Sequence, residues 1–516
     1  MKDILVRIIS GAIQGVDGIP VSVEIHVSKG IRYAMVGLPD NAVRESHERI
    51  VSALQMSGMD IPRRQITINM SPADLRKEGT GYDLPLAVGL MAAGEYIPVE
   101  SVENSVFIGE LSLDGSLVPV RGVLSIALMA RSLGLKRIIL PDGNAREAAV
   151  VQGLEVYGVN SLKELNQFLN GRLELFPQEP PVWDQDQTAP SADEDFAQVK
   201  GQQHIKRAIE VACAGGHNLI MVGPPGAGKT MMARCIPGIL PPMTLAESLE
   251  TTKIHSVAGK IQSGNALLVR RPFRSPHHTI STVAMTGGGG TPHPGEISLA
   301  HNGVLFCDEM PEYQRSVLEV LRQPLEERKV LISRSNYTVE YPADFMLVAS
   351  MNPCPCGYYN HPLRDCVCTP GQIQRYMSRI SGPLMDRMDI QLEILPVSHA
   401  DLGRDEQPES SAAIRERVVK ARKIQSDRFQ ACEGIHCNAQ MSSRQLSEFA
   451  RPDADGLLLL QNAMERLQLS ARAYTRILKV ARTIADLADS EGIRAEHIAE
   501  AIQYRTLDRG SWGEVK

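Results

Sequence analysis

The segment Gly223-Pro224-Pro225-Gly226-Ala227-Gly228-Lys229-Thr230 has the spacing G-x-x-x-x-G-K-T, the pattern of a loop that holds a phosphate chain. Its glycines let backbone N–H groups turn inward around phosphate oxygens, and the positive end of a following helix adds to the attraction. Lys229 can reach the β- and γ-phosphates, and the Thr230 hydroxyl is a ligand for Mg²⁺. About eighty residues on, the apolar run Gly303-Val304-Leu305-Phe306-Cys307 ends in Asp308-Glu309. Asp308 is placed to hold Mg²⁺ through water and Glu309 to polarise the water that attacks. A further apolar run, Phe345–Met351, ends in Asn352, whose amide can orient that water between Glu309 and the γ-phosphate. Together these residues are the parts needed to bind and cleave ATP.

A second chemistry is written in sulfur. Four of the nine cysteines, Cys354, Cys356, Cys366 and Cys368, lie within one short stretch. Two thiol pairs around a loop can supply the four sulfurs of a tetrahedral structural Zn²⁺. The pairs are C-x-C, tighter than the usual C-x₂₋₄-C, so free or redox-linked thiols are the alternative. His361 is a spare ligand candidate, although a lone loop histidine is more often only solvated. Cys213, Cys235, Cys307, Cys432 and Cys437 read as packed or surface thiols, and so few cysteines in so long a chain exclude a disulfide framework.

These residues need elements to carry them. Leu219–Val222 reads as a buried strand before the phosphate loop, with a helix from Met231 after it, and residues 199–395 alternate apolar strands with helices as a parallel sheet requires. From about Ser398 helical periodicity takes over, in Ala412–Asp427, Ser443–Phe449, Leu457–Leu467, Ala473–Ser490 and Ala495–Tyr504. Residues 176–198 are rich in proline and acids and contain no Lys or Arg, which is linker composition. Residues 1–175 alternate strand-like runs (Val21–Val27, Gln65–Asn69, Val106–Ile108, Arg137–Leu140) with helix-like ones (Asn41–Met56, Leu84–Ala93, Leu124–Leu133), a compact α/β domain. The expected order is therefore an N-terminal α/β domain (1–175), a linker (176–198), an ATPase core (199–395) and a helical C-terminal domain (396–516).

The whole is 516 residues, 43% hydrophobic, with 54 Lys and Arg against 60 Asp and Glu and a net charge of −6. That excludes a disordered chain, and any nucleic-acid binding must come from local patches instead of bulk charge. No run approaches the roughly eighteen apolar residues of a membrane span. The opening Met1-Lys2-Asp3-Ile4-Leu5-Val6-Arg7 lacks the regions of a signal peptide, so the cytoplasm is the expected location.

The phosphate loop, the acidic strand end and Asn352 resemble the AAA+ ATPases. Arg271-Pro272-Phe273-Arg274-Ser275-Pro276-His277-His278 and Pro294-Gly295-Glu296-Ile297-Ser298-Leu299-Ala300-His301-Asn302 resemble signatures of the magnesium-chelatase-like branch. The full-length order is similar to the ComM/YifB family. The resemblance implies a P-loop AAA+ core with a helical C-terminal lid, preceded by an α/β Lon-protease-like (ribosomal-protein-like) domain. It also implies an arginine finger at Arg387, in Ser381-Gly382-Pro383-Leu384-Met385-Asp386-Arg387-Met388-Asp389, and a sensor-2 arginine at Arg472, with Arg476 in reserve. A finger supplied in trans makes the active unit a ring, expected to be a homo-hexamer. In the Lon-like segment Met70–Val88, Asp83 falls at the place of the catalytic serine, and Leu124 falls at that of the lysine. Neither can serve in a Ser–Lys dyad, so proteolysis is not expected, and the domain reads as a binding or assembly module.

For partners, the resemblance implies branched or single-stranded DNA, moved by helicase or branch-migration activity in recombination or natural transformation, together with recombination proteins. Two insertions are candidate pore loops. One concentrates Lys260, Arg270, Arg271, Arg274, His277 and His278 before Gly287–Gly290. The other, Arg328–Tyr341, reads as a hairpin turning at Ser335-Asn336 that offers Lys329 and Arg334 to phosphates. The alternative is a magnesium-chelatase-type motor subunit that remodels a protein partner.

Overall fold

In the computed structural model the described residues are 3–181, 194–261, 266–289, 292–334, 337–396, 408–432 and 434–505. They form two compact units, Met1–Trp183 with Leu245–Leu268, and Asp184–Thr244 with Val269–Lys516.

The first unit is built on a seven-stranded mixed sheet. It opens with β1 (Ile4–Gln14) and β2 (Asp17–Ser28), antiparallel along their whole length from Ile4↔Val27 to Gln14↔Asp17. The pattern alternates inward Val6 and Ile8 with outward Leu5, as a half-buried strand must. There follow β3 (Tyr33–Val36), α1 (Asn41–Met56), β4 (Gln65–Ser71), α2 (Asp83–Ala93), β5 (Ser105–Phe107), α3 (Val123–Ser132), β6 (Arg137–Pro141), α4 (Asp142–Ala148), β7 (Glu155–Val159) and α5 (Leu162–Leu169). Strand order is β3-β4-β2-β1-β5-β6-β7. Helix α1 starts where the Asp40 carboxylate accepts the Val43 N–H at 2.8 Å. Helix α2 is apolar on every side and every one of its residues is buried, the pattern of a helix enclosed by core.

The second unit has a five-stranded, all-parallel sheet. After α6 (Gln203–Gly215) comes β8 (Leu219–Val222), fully buried, then the phosphate loop and α7 (Lys229–Ile239). The chain next makes an excursion: α8 (Leu245–Val257) and the residues up to Leu268 belong to the first unit. There α8 packs on α3, Lys253 pairs with Asp17 at 2.7 Å, and the Ser256 hydroxyl donates to buried Glu147. Back in the second unit lie β9 (Phe273–Arg274), β10 (Val304–Cys307), the hairpin strands β11 (Lys329–Arg334) and β12 (Tyr337–Pro342), β13 (Met346–Met351), α9 (Pro370–Met377) and β14 (Ile390–Glu393). The sheet order is β9-β10-β13-β8-β14. This order decides the chemistry, because β13 lies between the phosphate-loop strand β8 and the acidic strand β10.

Residues 408–505 carry α10 (Ser411–Arg428), α11 (Ser443–Phe449), α12 (Ala454–Arg466), α13 (Ala471–Leu487) and α14 (Ala495–Gln503), and no strand among the described residues. Their inward faces share one hydrophobic core with the sheet: Ile414, Val418, Ile477 and Ile484 join Ile205, Met221, Phe306 and Val348. Polar ties reinforce it, among them Gln425 Nε2 to the Ala214 carbonyl at 3.1 Å and Arg207 to Glu500 at 3.0 Å. The architecture is the expected one: a parallel P-loop core with a helical C-terminal region, preceded by an α/β unit.

Candidate functional site

The phosphate loop joins the end of β8 to the start of α7. Gly226 and Gly228 both have left-handed backbone, φ +77° and +84°, which L side chains rarely adopt. Pro225 and Gly226 are exposed, while Pro224 and Ala227 are buried, so the loop is anchored on one side and open on the other. Lys229 is the first residue of α7, two residues earlier than the helix start expected at Met231. Its ammonium donates to the carbonyls of Gly223 (2.7 Å) and Pro224 (3.0 Å) and to Asn352 Oδ1 (3.2 Å). Burial pulls its pKa below the usual lysine value, against the opposing pull of Asp308 and Glu309.

The strand order brings the remaining parts together. Thr230 Oγ1 donates to Asp308 Oδ2 at 2.9 Å. A hydroxyl and a carboxylate side by side are the hard oxygen donors that Mg²⁺ takes with phosphate oxygens, so the donor set fits ATP·Mg²⁺. Glu309 has left-handed backbone (φ +51°). Its N–H is held by Asp308 Oδ1 at 3.1 Å and by Ser350 Oγ at 3.3 Å, while its exposed carboxylate has no hydrogen-bond partner among the described residues. Ser350 was not singled out in the sequence, yet it is central here: its buried hydroxyl donates to Asp308 Oδ1. The available signal was a lone hydroxyl in an apolar strand two residues before Asn352. Gln202 was missed as well. It sits with φ +54° ahead of α6 and donates to the carbonyls of Leu395 (3.2 Å) and Ala227 (3.4 Å), bracing the loop from behind.

The arginines gather on another segment. Arg387 is 7% exposed, donates to the Pro383 carbonyl at 2.5 Å and pairs with Glu326. Arg472, in the first turn of α13, is largely exposed and pairs with Asp386 at 3.0 Å. Arg476, one turn on, pairs with buried Asp389 at 2.8 Å. Thus Arg472 and Arg476 of α13 pair with the residues on either side of Arg387, and burial together with the positive charge of Arg322, Arg472 and Arg476 lowers the Arg387 pKa.

The four thiols also converge. Cys354, Cys356, Cys366 and Cys368 bring their Sγ atoms within 4.8 Å of one another, with separations of 3.3 Å (354–356), 3.7 Å (354–366) and 3.6 Å (356–366). Zn–S bonds of about 2.3 Å at tetrahedral angles set sulfurs about 3.8 Å apart, so the set fits zinc despite the tight C-x-C pairs. Burial pushes the Cys366 thiol up to about 12, whereas at Cys356 N–H donors from Tyr358 and Val367 overcome burial and bring it to about 6. His361 is not part of the group; its Nδ1 accepts the Leu363 N–H at 3.0 Å.

In the first unit the degenerate protease positions are closed. Asp83 is buried at the start of α2, and its carboxylate receives Arg49 Nε (2.8 Å), Arg49 Nη2 (2.9 Å) and the Leu111 N–H (3.2 Å). Leu124 is core, and its N–H donates to Glu147 at 3.0 Å.

The two insertions fare unequally as DNA contacts. The hairpin forms with the register Lys329↔Pro342 to Arg334↔Tyr337; the turn expected at Ser335-Asn336 and the Arg334 side chain lie outside the described residues. Lys329 is at the hairpin base and paired with Glu340 at 2.9 Å, which removes it from the tip. Arg271 and Arg274 are likewise committed within the fold, Arg271 to the carbonyls of Pro241 (2.7 Å) and Asn302 (2.8 Å) and Arg274 to both oxygens of Glu296. Gly287-Gly288 pairs with His293-Pro294 in a small antiparallel ladder, and Gly290 lies outside the described residues.

Three family models match the chain: "Magnesium chelatase, subunit ChlI" over residues 195–402, "Subunit ChlI of Mg-chelatase" over 23–144, and "Magnesium chelatase, subunit ChlI C-terminal" over 408–505. The sequence is 42% identical over 499 residues to the uncharacterized protein YifB of Escherichia coli, covering 96% of each chain. It is 41% identical over 510 residues to the competence protein ComM of Haemophilus influenzae, covering 98% of each. The chain belongs to the ComM/YifB family of magnesium-chelatase-like AAA+ proteins. Lon protease 2 of Bacillus subtilis is a partial likeness, 28% identical over 193 residues, which is 31% of this chain and 33% of that one. Among the described residues no helix is long and apolar enough to cross a membrane.

Proposed function

We propose that this chain is a ring-forming ATPase that uses hydrolysis to remodel DNA, by branch migration or helicase action in recombination or natural transformation. The observation that carries the ATPase part is the two hydrogen-bonded pairs Thr230–Asp308 and Lys229–Asn352, with Ser350 holding the other oxygen of Asp308. In this reading the loop N–H groups and Lys229 hold the β- and γ-phosphates, and Thr230 and Asp308 hold Mg²⁺, which offsets phosphate charge. Glu309 takes the proton of the attacking water, which Asn352 orients. Arg387 acts on the neighbouring protomer's nucleotide, exchanging Glu326 for the transferring phosphoryl group, and Arg472 serves as the sensor-2 arginine. Six protomers close the ring. The cysteines hold a structural zinc, and the N-terminal unit serves binding or assembly.

The DNA part is supported by the ComM relative, named for competence, and by the antiparallel hairpin of β11 and β12. The test is the ATPase rate with and without four-way DNA junctions: stimulation is expected, and Lys229→Ala abolishes nucleotide binding. The chelatase descriptions of the matching family models favour a second reading, a motor that remodels a protein partner. No stimulation by junctions, with stimulation by a chelatase partner, reverses the order.

A further inference from the structure

The thiol cluster does not stand apart from the nucleotide pocket. Cys354 follows Asn352 by two residues, with Pro353 between them fixing the backbone turn, and Asn352 Oδ1 is the side-chain acceptor of Lys229. A second link is steric. Gly357 closes the Cys-Pro-Cys-Gly turn through its N–H to the Cys354 carbonyl at 3.0 Å. It has φ +85°, and a Cβ built on it would lie 2.7 Å from Cδ and 3.0 Å from Cγ of Pro225. The turn therefore lies directly against the exposed proline of the phosphate loop. A third link closes the loop at its far end. Cys366 and Cys368 lead into α9, whose N-cap is Thr369, and the Tyr376 hydroxyl of α9 accepts the Asn352 N–H. These three links run from the cluster to Pro225 of the phosphate loop or to Asn352.

We propose that a zinc ion bound by Cys354, Cys356, Cys366 and Cys368 sets the shape of the phosphate loop, so that metal occupancy controls nucleotide affinity. The inference rests on the zinc and nucleotide readings above and adds the dependence of one on the other. The ion joins two chain segments that otherwise meet through the thiols and through backbone N–H groups such as that of Val367 to Cys356. It thereby fixes the turn against which Pro225 rests and the strand end that presents Asn352. Residues that orient a site's primary ligands typically change its affinity by about 10–100-fold, and a comparable effect is expected here.

The test uses the full chain and needs no turnover. Bound zinc per chain is measured by elemental analysis, and nucleotide affinity by titration of a fluorescent ADP analogue with Mg²⁺. The purified chain should carry one zinc. Removing it with a chelator should weaken nucleotide binding about tenfold or more, and adding Zn²⁺ back should restore it. Gly357→Ala should keep the zinc and weaken nucleotide binding, because the new methyl group displaces Pro225. Cys366→Ser with Cys368→Ser should lose both, and the Gly357 variant and reversible chelation remain decisive should that double variant fail to fold. Equal nucleotide affinity with and without zinc overturns the proposal, as does a chain that binds no zinc. Lys229→Ala should retain zinc and lose the nucleotide. A zinc-loaded native chain that binds no nucleotide counts against the ATPase reading instead.

Discussion

Asp83 and Asp308 stand at the places where two resemblances put chemistry, and the fold treats them in opposite ways. Asp83 is buried, and Arg49 pairs with both of its oxygens while the Leu111 N–H donates to Oδ2. Its charge is already paired and shielded from solvent. Asp308 is only partly buried, and its three donors, the Thr230 and Ser350 hydroxyls and the Glu309 N–H, are all neutral. Its charge is oriented but not neutralised, which is what a cation-bearing ligand requires. A protein site is recognised less by its residue types than by whether the surrounding fold has already consumed their charge.

That contrast can be broken at either end. The largest expected effect is at the open site. Glu309→Gln should lower single-turnover ATP hydrolysis by about 10²–10⁴-fold while leaving nucleotide binding intact; an unchanged rate would mean that another group handles the proton. At the closed site, Arg49→Ala leaves a buried carboxylate unpaired and should cost about 3–5 kcal/mol in the unfolding transition of the N-terminal unit. Nucleotide affinity should not move, and if it does, the two regions are not separate in role. Ser350→Ala should raise the Mg²⁺ concentration needed for half-maximal hydrolysis by about tenfold, by freeing the Asp308 carboxylate. The smallest effect is a pH slope. Burial holds the Glu147 carboxyl above its ordinary value of 4.5, despite donors from Ser256, Leu124 and Asn144. A folded pKa above the unfolded one stabilises fully below about 4.5, and that contribution is lost as pH rises through the folded value. Glu147→Gln should therefore flatten the decline in melting temperature of the N-terminal unit between acid and neutral pH.

Much of this was legible in the residues. The phosphate loop, the acidic strand end, Asn352 and α1 stand out because local pattern and final environment agree. Strand β1 was passed over because Ser10 and Gly11, both buried, interrupt its apolar alternation; Gly11 is small because Ile126 of α3 packs against it. The role of Ser350 was hidden since only sheet order, with β13 between β8 and β10, brings it to Asp308. The same holds for the excursion Leu245–Leu268, whose membership in the first unit is a matter of long-range packing that no local period reports. The basic insertion misled by composition: Arg271 and Arg274 look like a phosphate-binding patch in sequence, and the fold spends them on carbonyls and Glu296.

The central claim is that one protomer's arginine completes its neighbour's nucleotide pocket. Chains carrying Lys229→Ala should bind no nucleotide, and chains carrying Arg387→Ala should hydrolyse about 10³–10⁵-fold more slowly than native. The decisive measurement is ATP hydrolysis by an equal mixture of the two. Activity well above that of either variant alone is the predicted result, since each supplies what the other lacks. A mixture no more active than its parts, or an Arg387→Ala chain as fast as the native one, contradicts the account.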